Sequence, residues 1–100
     1  MLEELHKLLL ELANILKKES EQNWIRAINQ MLKKIESALS DGYGHKEAIS
    51  YVHKTYEAIN SGNGSFSDFH IWRDNLADRK RENEHLDKNK RSILELLNKE

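Results

Sequence analysis

Cysteine is absent from this chain. That excludes disulfides, thiolate nucleophiles and thiolate-ligated zinc together, and it fits a reducing compartment. Proline is absent as well, so no residue breaks a helix from within by removing its N–H. Helix ends must be made by glycine, serine, asparagine and aspartate. Glycine numbers only 4, confined to SDGYG at 40–44 and SGNG at 61–64. Long hydrophobic runs are missing too. The opening MLEELHKLLLELANIL is leucine-rich, but Glu3, Glu4, His6, Lys7 and Glu11 interrupt it. A secretory signal needs an unbroken apolar run, and a membrane span needs about 18 or more apolar residues. The expectation is a soluble cytoplasmic protein, in which the Asn63–Ser65 sequon carries no meaning. An excess of one charge is also lacking, since 16 basic residues face 17 acidic ones for a formal charge of -1. Bulk attraction to nucleic acid or anionic lipid is therefore not expected.

What is present is helical periodicity. With 100 residues the chain suits one domain with one core. Leu5, Leu9, Leu12 and Leu16 recur at three- and four-residue steps, which predicts a first helix over Leu2–Lys18 with Leu2, Leu8 and Ile15 at the margins of the stripe. Leu10 lies on the far side. Ser20 reads as the N-cap of a second helix carrying Trp24, Ile28, Met31, Ile35, Ala38 and Leu39. Ile25 and Leu32 widen that stripe, so this helix should touch two neighbours. Gly42 and Gly44 in SDGYG can adopt the left-handed conformation that ends it. A third helix is predicted over His45–Asn60 on Ala48, Val52, Tyr56 and Ile59, with Ile49 beside them and Tyr51 pointing elsewhere. Leu86, Ile93 and Leu97 share one face of a fourth, predicted from Arg81 to Asn98. Residues 73–80 are compatible with helix, loop or partial disorder. The fold class expected is all-α, a four-helix antiparallel bundle-like single domain over residues 1–100.

Between the third and fourth helices lies SGNGSFSDFHIW, residues 61–72. Gly62 and Gly64 permit positive φ. Ser65 and Asp68 match a Ser-x-x-Asp capping pattern that would start a helical turn at Phe66. The alternative is an extended piece with Phe66, Asp68 and His70 on one side and Ser67, Phe69 and Ile71 on the other. Phe66 and Phe69 can plug the end of the bundle. Each ring buried there is worth about 1.5–3 kcal/mol. Trp72 suits either a core or an interface anchor.

INSGNGSFSDF resembles the Gly-x-Gly-Ser-apolar-x-Asp loop of small bacterial helical proteins, and through them proteins of the toxin-immunity kind. The resemblance implies a module that binds and neutralises a cognate toxin domain, in one form a nuclease, with no catalytic residues of its own. The contact residues expected are Asp68, Phe69, Trp72, Arg73, Asp74 and Asp78. The rings would anchor, and the charges would set orientation and partner choice. The partner would be a protein rather than nucleic acid or membrane, and the chain itself a monomer or weak homo-oligomer.

Other chemistries find less in the residues. His53 and Glu57 are spaced to share a metal, but no third ligand is evident, so no metal site is expected. SGNGS lacks the lysine and hydroxyl of a phosphate loop and follows no strand, and no cofactor is expected. Asp68 and His70 are an ordinary turn pair, no serine has a nucleophile-elbow context, and a non-enzyme is the expectation. The run Arg79, Lys80, Arg81 suggests a nucleic-acid contact, but Asp74, Asp78, Glu82 and Glu84 surround it and cancel its field beyond about 8–10 Å. Self-association through Leu10 or the thin fourth helix is a further alternative.

Overall fold

The computed structural model describes residues 1–61 and 66–99. Four α-helices and one 3₁₀ turn account for most of them: α1 Leu2–Lys18, α2 Ile25–Asp41, α3 His45–Ile59, the 3₁₀ turn Phe66–Asp68 and α4 Leu76–Asn98. α1 packs on α2 and α4, and α2 packs on α3. The cross-helix pairs fix the directions. His6 near the start of α1 meets Glu36 near the end of α2. Along α1 the sequence Leu8, Glu11, Lys18 meets Asn89, His85, Glu82 of α4 in descending order. Neighbouring helices therefore run antiparallel, as the short connections require. The molecule measures 46 × 25 × 24 Å.

The stripes read from periodicity form the core. Leu5, Leu9, Leu12 and Leu16 of α1, Ile28, Met31 and Ile35 of α2, Val52 of α3, and Leu86, Ile93 and Leu97 of α4 are all fully buried. Leu2, expected at a margin, is buried as well, whereas Leu8, Ile15, Trp24 and Leu39 are half-buried. Leu10 faces outward. The tie from α3 to α4 is polar, with the Tyr56 hydroxyl donating to the Lys90 carbonyl at 3.4 Å. Burial of the Tyr56 ring pushes its phenol pKa upward.

Helix ends depart from expectation in two places. Ser20 does not cap α2; it closes α1. Its φ is +56°, its N–H donates to Lys17 C=O at 3.1 Å, and the Glu21 N–H donates to Leu16 C=O at 2.9 Å. This pair of bonds is the Schellman arrangement, with Ser20 at the left-handed position. α2 begins later, at Ile25, behind Trp24, whose side chain makes no cap hydrogen bond. α4 begins five residues before Arg81, at Leu76, because the Asn75 side chain accepts from the Asp78 N–H at 3.0 Å and so caps the first turn. Residues 76–80 are thus helix, and 73–75 are not. α3 stops at Ile59, with Asn60 as its C-cap. Gly42, at φ +75°, donates its N–H to Ala38 C=O and ends α2 as expected.

Candidate protein-contact surface at the start of α4

The 3₁₀ turn favours the helical-turn reading of residues 66–68 over the extended one. The Phe69 N–H donates to Phe66 C=O at 3.1 Å. The proposed Gly62 and Gly64 turn and the Ser65 cap fall outside the described residues. Phe66 is fully buried. Its ring lies 5.3 Å from Trp24 and 6.1 Å from Phe69, and Trp24 and Phe69 are 5.7 Å apart. Tilted, edge-on and stacked aromatic contacts such as these are favourable beyond simple burial. The Lys90 ammonium sits 4.4 Å above the Phe66 ring and donates to its carbonyl at 3.2 Å. Burial lowers the Lys90 pKa, against the opposing pull of Asp87 and Asp68. Phe66 is therefore a plug, and Phe69 is a half-buried rim of that plug.

From Phe69 the chain crosses to α4 without regular secondary structure. Ile71 is buried. Its N–H donates to Asn83 Oδ1 and its carbonyl accepts from Asn83 Nδ2, both at 2.8 Å. Arg73 folds back onto two carboxylates. It bonds Glu19 through both Nη atoms, one contact being 2.8 Å, and Glu82 through Nε at 2.7 Å. It also donates to the Trp72 carbonyl at 2.6 Å. Lys18 adds a 3.5 Å contact to Glu82. The hydrogen bond from Arg73 holds the Glu19 carboxyl below its ordinary pKa, and Glu19 in turn raises the guanidinium further above its ordinary range. Arg73 thus has its donors committed within its own chain.

Trp72 goes the other way. It is 68% exposed, and the Arg79 guanidinium stacks on its ring at 4.4 Å. Leu76, one helical turn before Arg79, is also 68% exposed. Asp74 is exposed and makes no ion pair among the described residues. The Asp78 carboxylate is held by Arg81 at 2.7 Å. Asp68 is exposed beside Lys90. The six residues expected to form a contact surface therefore divide. Trp72 and Asp74 face solvent freely, Asp68 and Asp78 are exposed or half-exposed with partners, Phe69 lines the plug, and Arg73 is turned inward.

Leu76 had no distinction in the sequence because it stands in a charged run. The Asn75-x-x-Asp78 pattern would have placed α4's start and put Leu76 in its exposed first turn. The roles of Asn83, Glu19 and Glu82 carried no local signal. Of the basic run, Arg79 lies on Trp72 and Arg81 on Asp78, which leaves Lys80 alone without a partner among the described residues. His53 pairs with Glu57 at 2.9 Å, and no cluster of three metal-ligating side chains occurs among the described residues. No described helix is long and apolar enough to cross a membrane. No protein-family model, curated protein or solved structure matches this chain.

Proposed function

We propose that this chain is a protein-binding inhibitor, an immunity-type protein of the bacterial cytoplasm that neutralises a cognate toxin domain by covering its active site. One observation carries the reading: Trp72 and Leu76 both stand exposed at the head of α4, with Arg79 stacked on the Trp72 ring. Trp and Arg are among the residue types most enriched as interface anchors. Asp74 lies within two residues of Trp72 and supplies the orienting charge. Asp78, already neutralised by Arg81, contributes less. Mimicry of nucleic-acid phosphates therefore rests on Asp74 alone, and the apolar grip is the larger part of the mechanism.

The test is co-purification with the C-terminal domain of a large secreted protein encoded in the neighbouring reading frame, followed by a toxicity assay. Trp72→Ala should weaken the complex about 30-fold or more, the scale of an anchor residue. Asp74→Ala should mainly slow association. Full protection by both variants, with helicity intact, would remove this surface from the mechanism.

A further inference from the structure

We propose that Asn83 and the Arg73–Glu19–Glu82 cluster are positioning residues: together they latch residues 71–73 and hold Trp72 in a fixed presenting pose. The inference rests on the reading of Trp72 as a partner anchor, and it assigns work to residues that need never touch the partner.

The geometry is two-ended. On the N-terminal side of Trp72, Asn83 grips both backbone groups of Ile71 at 2.8 Å each. This is the pairing a neighbouring β-strand would offer, supplied here by one amide side chain from α4. The same Nδ2 also donates to the Arg79 carbonyl at 2.8 Å. Asn83 thereby fixes the grip to the helical turn whose Arg79 side chain supports the indole. On the C-terminal side, Arg73 ties the Trp72 carbonyl to Glu19 at the end of α1 and to Glu82 of α4. The Glu19 side chain is 14% exposed and that of Arg73 28%, so the cluster is shielded from full solvent screening. The third hold is the Arg79 face at 4.4 Å.

An exposed ring on an untethered loop would lose rotamer and backbone freedom on binding, and that loss subtracts from affinity. Here the freedom is removed during folding. The side of the indole away from Arg79 remains open for a partner. A loop without a binding role has no need of an outward tryptophan clamped from three directions.

The experiment is backbone and indole ¹⁵N relaxation on the full chain. In the parent protein, order parameters at Ile71, Trp72 and Arg73 should stand at about 0.85, the value of rigid backbone. In Asn83→Ala, and separately in Glu19→Ala, they should fall below about 0.6 at these residues while the helices keep their values. Lys80→Ala, a neighbouring surface change, should leave all three unmoved. Low order at Trp72 in the parent overturns the latch, as does retention of about 0.85 in both variants. Against the neighbouring-frame domain, Asn83→Ala should weaken capture in the parent and add nothing in a Trp72→Ala background, because coupled residues are non-additive. Equal losses in both backgrounds would reduce Asn83 to a structural residue. A rigid Trp72 whose removal leaves protection intact would overturn the inhibitor reading and leave the latch standing.

Discussion

Asn83 satisfies both backbone groups of Ile71, twelve residues earlier in the chain, through a single side-chain amide. Ile71 is buried, so no water can readily replace those bonds. Asn83→Ala should therefore cost about 2 kcal/mol and lower the Tm by roughly 10 °C. Asn83→Asp keeps the acceptor but sets a carboxylate oxygen against the Ile71 and Arg79 carbonyls, so it should destabilise at least as much as Asn83→Ala. Thermal melts followed by circular dichroism check the order.

The Glu19–Arg73 bond makes stability depend on acid. Hydrogen bonding to Arg73 holds the Glu19 pKa below its ordinary 4.5 in the folded protein. The unfolded chain then binds the proton more readily than the folded one. The stabilisation is complete at neutral pH and is lost as pH falls through the depressed folded value. Glu19→Gln should remove this part of the acid sensitivity, which urea titrations between about pH 6 and pH 3 would show as a flatter stability profile. An unchanged profile would mean that other carboxylates carry the acid response.

Two aromatic residues six positions apart should behave oppositely. Phe66→Ala empties a fully buried site at the centre of an aromatic cluster and should destabilise by about 3–5 kcal/mol. Trp72→Ala loses only the Arg79 contact and should cost less than about 1 kcal/mol. Denaturant melts of the two variants provide the comparison.

Ser20 occupies the left-handed region that glycine favours. Ser20→Gly should relieve the strain between its Cβ and the carbonyl and stabilise the protein by about 0.5–1 kcal/mol. A loss of stability would show that the serine side chain makes up for its backbone.

Asn89 is 3% exposed in the α1–α4 seam. Its Nδ2 donates to Leu8 C=O at 3.0 Å, but its Oδ1 has no protein partner among the described residues. An unsatisfied buried acceptor costs stability, so Asn89→Leu should raise it by about 1 kcal/mol. Chemical denaturation measures the change. A net loss would mean that the Leu8 bond outweighs the orphaned oxygen.

Much of the fold was legible because leucine spacing alone defines an amphipathic face. The bounds of α1 follow from it, and so does the burial of Leu86, Ile93 and Leu97. Gly42 was legible as a stop because few other residues take its conformation. The site was legible only in part. Trp72 declared itself by its chemistry, but its exposure depends on where Ile71 and Arg73 are pulled. Arg73 finds Glu19 across 54 positions of sequence, and no periodicity encodes such a meeting. Ser20 misled for a local reason: serine is a good N-cap, and the Schellman turn needs only backbone bonds that any residue can make. Asn89 was hidden among the charges of α4, where an asparagine reads as surface.

The ring cluster of Trp24, Phe66 and Phe69 has a consequence for how the protein assembles. α2 starts without a side-chain cap and without an acidic first turn, so little in its own sequence holds its leading turn closed. The rings that cover that turn come from some forty residues downstream. During synthesis, α2 should therefore emerge frayed at its head, before the rings that pack on it are made. The later aromatic segment should close that turn, and hydrogen exchange should show the amides of residues 25–28 and the segment 66–71 opening as one unit.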